Sequence, residues 1–233
     1  MHSSSTPPLS SNEKLISVHF PKVGGSTLRH FYKKHFHGRY HEIYNDYPAE
    51  SFNANFYKAC VNSIRMFNTT PHYKCTHGHF LPLKFRYCSN VRFSAFFREP
   101  VERITSHFYH HMNKWHPDTI ASLNPVTIEP YLLAFAKAEK RRNVYAKYLR
   151  GFPIHKFSYI GITEDYNNSM ISFFNFLQIE PETKIEAKRQ NPLKVSQRYN
   201  LTESTKNQII ELNRKDVSIY ENVLRVYDDR YYI

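Results

Sequence analysis

No stretch of the 233-residue sequence approaches the roughly 18 consecutive apolar residues that a membrane-spanning helix requires. The first 13 residues are polar, with serines and two prolines, and lack the apolar centre of a secretory leader. Cysteine is scarce: Cys60, Cys75 and Cys88 are odd in number and show no Cys-x-x-Cys spacing, so neither a disulfide framework nor a cysteine zinc site is indicated. Internal repeats and low-complexity segments are also lacking. Acidic residues are few, 20 against 32 lysines and arginines, which gives a formal charge of +12 and a pI near 9.5. That balance calls for an anionic partner, whether nucleic acid, acidic polysaccharide, membrane surface or a polyphosphorylated cofactor, and charge alone does not choose among them. What is present is a globular composition, 41% hydrophobic and rich in Tyr and Phe at 18 each. The expectation is a cytoplasmic chain with a disordered tail over 1–13 and a single domain over 14–233, with no integral membrane segment. The sequons at Asn68, Asn167 and Asn200 would matter only in a secretory lumen, the Golgi included, if the chain were an ectodomain.

The chain is organised around Phe20 to Thr27, Phe-Pro-Lys-Val-Gly-Gly-Ser-Thr, between an apolar run over Leu15 to Phe20 and a helical pattern from about Ser26. A strand that turns through glycines into a helix aims backbone N–H groups and the positive end of the helix dipole at one point, where phosphate or sulfate is favoured. Gly24 and Gly25 permit close backbone approach, Ser26 and Thr27 add hydroxyl donors, and Lys22 adds a full charge. A nucleotide-triphosphatase loop would place its lysine after the glycines. Here Lys22 comes before them. Taken alone, the stretch is equally a tight strand-to-helix turn with nothing bound.

Further along, Leu28, Phe31, Tyr32 and His35 mark one helix face, a short strand is expected over Tyr40 to Tyr44, and Phe56, Ala59, Cys60, Ile64 and Phe67 mark a second helix. Tyr73 to Phe80 reads as a strand entering a loop, with His77 and His79 on one face. Val91 to Phe97 reads as a buried parallel strand, followed by Arg98-Glu99-Pro100-Val101-Glu102-Arg103 and a helix over Ile104 to Asn113 that carries Ser106. Arg98 thus stands at a strand's C-terminal end, where open α/β sheets bind ligands. Pairing of Arg98 with Glu102 is the plainer alternative. His107 and His111 have helical zinc spacing, but no third ligand is marked and no metal is expected. From Lys137 to Arg150 six basic residues face one acid in a helical pattern. The stretch from Lys184 to Arg198 is basic and could close over a cofactor, and a last helix is expected from about Thr202.

Pro-Lys-x-Gly-Gly-Ser-Thr after a strand resembles the 5′-phosphosulfate loop of the sulfotransferases that include the heparan sulfate 2-O-sulfotransferases and bacterial carbohydrate sulfotransferases. Arg98-Glu99-Pro100-x-x-Arg103-x-x-Ser106 resembles the 3′-phosphate motif of the same family, and His77-Gly78-His79-Phe80 the segment that supplies its catalytic base. Ile160-Gly161-Ile162-Thr163-Glu164 and the Asp216-x-x-x-Tyr220 ending are similar to late segments of the family, with no chemistry assigned. The resemblance implies a three-layer α/β/α fold with a mostly parallel sheet, akin to the P-loop nucleotide-triphosphatases. It also implies transfer of a sulfuryl group from 3′-phosphoadenosine 5′-phosphosulfate (PAPS) to a carbohydrate hydroxyl, leaving 3′-phosphoadenosine 5′-phosphate (PAP). In that scheme Lys22 and His79 are catalytic with His77 as helper, and Lys22, Gly24, Gly25, Ser26, Thr27, Arg98 and Ser106 hold the donor. Lys140, Arg141 and Arg142 would hold the acceptor, an anionic polysaccharide or glycolipid, with no metal and no nucleic acid involved. The alternatives are a magnesium-dependent kinase of the nucleotide-loop class, a non-catalytic binder of polysaccharide or nucleic acid, and an inactive relative.

Overall fold

The computed structural model describes residues 7–44, 52–180 and 199–231, so the stretch Lys184 to Arg198 lies outside the described residues. Five strands form one sheet in which every pair is parallel: β1 (Lys14–Val18), β2 (Tyr40–Ile43), β3 (Cys75–Gly78), β4 (Val91–Phe97) and β5 (Phe157–Ile162), ordered β2-β3-β1-β4-β5. The central strands are buried on both faces, as continuous apolar runs such as Leu15-Ile16 and Ala95-Phe96-Phe97 require. Successive side chains leave the sheet on opposite sides. On one side Phe96 meets Phe173 of α7 (Tyr166–Leu177), which also packs against Tyr32 of α1 (Gly25–His35). On the other side Phe97 meets Phe20 and Tyr145, the latter from the short helix at Val144–Tyr148. Helices therefore cover both faces of a wholly parallel sheet, the α/β architecture expected.

The remaining helices extend this frame. In chain order they are α2 (Phe52–Arg65), α3 (Pro100–Trp115), α4 (Pro117–Ser122), α5 (Pro125–Lys137), α6 (Val144–Tyr148), and, after α7, α8 (Glu203–Leu212) and α9 (Arg214–Tyr231). Helices α3, α4, α5 and α8 share a second apolar cluster, built on Ile104, Phe108, Leu132, Phe135 and Ile209, separate from the sheet core. The sequence reading did not anticipate this group, because α4 and α5 carry no motif.

Four expectations need correction. The tail is not loose from residue 7 onward: Leu9 is buried and donates its N–H to the Phe176 carbonyl at 2.7 Å, and the Lys74 ammonium holds the carbonyls of Ser10, Ser11 and Glu13. The run from Lys137 to Arg150 is not one helix but α5, a 3-10 turn at Glu139–Arg141 and α6, because Asn143 takes a left-handed conformation (φ 50°). The last helix is split at the buried Asn213, whose side-chain oxygen accepts from the Asn143 N–H at 3.0 Å while its amide donates back to Ile209 at 3.0 Å. One asparagine thus pins both breaks. The second helix, α2, ends at Arg65, before Phe67, and its buried residues are Ala59 and Ser63, while Ile64 and Phe67 are exposed.

Candidate active site

In the order β2-β3-β1-β4-β5 the connection after β1 leaves toward β2 and the connection after β4 toward β5. The two loops diverge at the C-terminal edge and leave a crevice between them, the position where open parallel sheets bind ligands. One wall is the turn from His19 to Gly25. Phe20 anchors it, wedged among Phe97, Tyr145 and Tyr148. Lys22 and Gly24 both have positive φ, 70° and 87°. Gly24 is the N-cap of α1, gives no side-chain cap, and no acid stands in the first helical turn. A helix start with neither cap nor acid has the electrostatics to receive an anion from outside. Both glycines are packed tightly: a Cβ on Gly24 would lie 3.0 Å from Tyr166 Cε2, and one on Gly25 would lie 1.7 Å from His19 Nε2. Ser26 is exposed and Thr27 half-buried at the helix start.

The other wall begins at Arg98, immediately after β4. Its backbone is fixed by Tyr145, whose hydroxyl accepts from the Arg98 N–H at 2.9 Å and donates to the Arg98 carbonyl at 2.7 Å. The guanidinium reaches across the crevice: Nη1 donates to the Lys22 carbonyl at 3.4 Å and Nη2 to Glu102 Oε2 at 3.2 Å. Nε is buried without a hydrogen bond, 3.9 Å from Glu164. Pairing with Glu102 is thus realised, yet the arginine retains an unsatisfied donor, Nε, on the side of Glu164. Glu99 caps α3 by accepting from the Val101 and Glu102 N–H groups, and Pro100 occupies the first helical turn. Ser106 is half-buried about two turns into α3.

Three histidine rings lie behind the turn. His19 stacks on His77 (5.0 Å between centroids) and on His79 (4.4 Å), each nearly parallel. His79 Nδ1 lies 2.6 Å from the His19 carbonyl, which can only accept, so Nδ1 carries the proton and Nε2 keeps its lone pair. The Tyr148 hydroxyl lies 3.3 Å from the same Nδ1. Burial holds His79 down to about 4 and His77 to about 3, and burial with the nearby His79, His77, Lys22 and Arg29 holds His19 well below its usual range. All three are neutral at neutral pH. His79 is partly accessible, whereas His77 is fully buried with Nδ1 on Ser17 Oγ at 2.9 Å. His77 therefore presents no surface to the crevice.

The buried His77 makes acid stability testable. Its folded value of about 3 lies below the 6.5 of an unfolded histidine, so between these limits the unfolded chain binds the extra proton. Its contribution is complete above about pH 6.5 and is lost as pH falls toward 3, at about 1.4 kcal/mol per pH unit. Urea titrations between pH 7 and 4.5 should give a steeper loss for the wild type than for His77→Gln. Equal slopes would contradict this role for His77.

Several residues at the crevice escaped the sequence reading. His19 stood inside an apolar run. Glu164, given no chemistry, accepts from the Glu99 N–H at 3.1 Å and from the Tyr220 hydroxyl at 2.8 Å, so it ties the end of β5 to Arg98 and α9. Asp216 lies in a wholly buried ion pair with Arg103 at 3.4 Å. Only pattern comparison of the late Glu164 and Asp216–Tyr220 segments could have signalled these links. Of the acceptor candidates, Lys140 is exposed and Arg141 is held over the Phe135 ring with Nη1 on the Phe135 carbonyl at 3.1 Å. Burial, with the positive charges of Arg103, Arg141 and Lys22, lowers His107 to about 3. His107 and His111 both pack on Phe135. Among the described residues no group of three His, Cys, Asp or Glu side chains is arranged to hold a metal ion, and no helix is long and apolar enough to cross a membrane.

No protein-family model matches the chain, and no curated protein does. Among solved structures, a sulfotransferase from Alicyclobacillus acidocaldarius is similar at 13% identity and a TM-score of 0.47, over 93% of this chain and 97% of that one.

Proposed function

We propose that this protein transfers a sulfuryl group from PAPS to a hydroxyl of a carbohydrate. The observation that carries the reading is the meeting, across one crevice, of an uncapped glycine turn bearing Lys22 and a buried arginine whose Nη1 reaches that turn, beside a neutral histidine whose Nδ1 is held on a backbone carbonyl. The fit to the donor is chemical: the turn of Lys22, Gly24, Gly25, Ser26 and Thr27 suits the 5′-phosphosulfate, and Arg98 with Ser106 suits the 3′-phosphate. PAPS supplies an activated sulfur whose bond to the 5′-phosphate oxygen breaks as the bond to the acceptor oxygen forms. His79 Nε2 takes the acceptor's proton, oriented by the hydrogen bond from Nδ1 to the His19 carbonyl. Lys22 and the N–H groups at the start of α1 stabilise charge on the departing phosphate, so no metal is called for. The acceptor would lie toward Lys140, Arg141 and Arg142, whose charge suits an anionic polysaccharide or glycolipid.

Calorimetry with PAP and AMP tests the donor assignment. A charge-assisted hydrogen bond to the extra phosphate contributes about 1.5 to 3 kcal/mol, so PAP should bind about tenfold to a hundredfold more tightly. Arg98→Ala should narrow that gap. Equal affinity of the wild type for both nucleotides would remove the assignment.

A further inference from the structure

We infer that the outer face of α2, with the turn that follows it and Tyr87, is a docking surface for an anionic lipid bilayer. Helix α2 is seated on its inner side by Ala59, which packs with Leu81 and Leu83 and with the partly buried Phe56 and Cys60. Its outer side is not uniformly polar, as a solvated helix face would be. Tyr57 and Ile64, seven residues apart and so on one stripe, are 71% and 73% exposed. Phe67, 65% exposed, continues the stripe past the helix end and packs at 6.0 Å against the ring of Tyr87. Four of the nine large apolar side chains exposed among the described residues gather here, which makes a patch and not scattered contacts with water.

The charge around the patch selects the partner. Between Glu50 and Glu99 the sequence has no acidic residue at all and seven lysines and arginines. Lys58 and Arg65, also seven residues apart and both exposed, form a second stripe beside Tyr57 and Ile64, and the Arg86 guanidinium lies over the Tyr87 ring. Apolar side chains flanked by cations on one helix are the pattern that lies in the plane of a bilayer, with the apolar groups below the headgroups and the cations among them. A soluble polyanion would engage the cations and gain little from Ile64 and Phe67. An anionic bilayer engages both.

Sedimentation of the full chain with vesicles tests this without any nucleotide or acceptor, so its outcome is independent of the sulfuryl-transfer reading. Vesicles of phosphatidylcholine mixed with phosphatidylglycerol should carry the protein down, vesicles of phosphatidylcholine alone far less, and added salt should weaken the binding. The variant Tyr57→Ser/Ile64→Ser/Phe67→Ser removes side chains that already face solvent and should keep the wild-type thermal transition. Its affinity for the mixed vesicles should fall about tenfold or more, the factor equivalent to about 1.4 kcal/mol. Absence of binding to the mixed vesicles overturns the proposal, as does a triple variant that binds them as the wild type does. Equal losses on the vesicles and on soluble dextran sulfate would reassign the surface to a polysaccharide and also overturn it.

Discussion

Replacing His79 by alanine is expected to lower turnover by about a hundredfold to ten-thousandfold while PAP affinity stays unchanged, because a positioned base contributes at that scale to the transition state and not to donor binding. The geometry that motivates this is the hydrogen bond from Nδ1 to the His19 carbonyl, which sets the tautomer. The pH dependence follows with a definite sign. A base must be neutral, so activity is present above its pKa and falls below it. Burial holds His79 near 4 in the free protein, which puts the acid limb of kcat/KM near pH 4. Anionic donor in the crevice stabilises the protonated ring, so the acid limb of kcat should lie at higher pH. His77→Ala should act differently, through the stack and through stability, since that ring has no exposed surface. Full activity in His79→Ala would move the base elsewhere.

The second large effect is expected at Gly25. A methyl group there would stand 1.7 Å from His19 Nε2 and 2.1 Å from Cε1. The ring has no room to retreat, since His79 and His77 stack on it and the Tyr44 hydroxyl lies 3.0 Å from its Nδ1. Gly25→Ala should therefore cost about 1 to 3 kcal/mol of stability, the usual scale of overpacking, and weaken PAP about tenfold or more by displacing the turn. Chemical denaturation measures the first and calorimetry the second. The double variant Gly25→Ala/His19→Ala removes the colliding ring and should recover much of the stability. A single variant as stable as the wild type, with PAP binding intact, would show that the turn is not packed in this way.

Legibility in the sequence divides along physical lines. The turn of Gly24 and Gly25 is readable because the residues that make it are neighbours in the chain and local geometry restricts which types can stand there, whereas the cap that Glu99 gives α3 emerges only in the structure. β1 and β4 were readable as buried strands because a parallel sheet covered on both faces demands unbroken apolar runs. His19 was hidden by the same rule: inside such a run it looked like an exception to be ignored, and its importance lies in contacts with residues 77 and 79. Glu164 and Asp216 act on Arg98 and Arg103 from distant segments, so nothing beside them in sequence betrays their partners. Ile64 and Phe67 follow helical apolar periodicity and yet are exposed, because that spacing does not say which side of a helix is covered.

The placement of β1 at the middle of the sheet also bears on how the chain assembles during synthesis. Leu15 pairs with Cys75 on one side and with Arg92 on the other, so β1 leaves the ribosome well ahead of both its neighbours and waits unpaired until much of the chain has followed. Non-local parallel pairing of this kind is slow, and a bare apolar strand is prone to wrong partners in the interval. The nascent protein is thus most exposed to aggregation before β4 emerges, and an engaged chaperone should release it most readily once residues through Phe97 can close the sheet around β1.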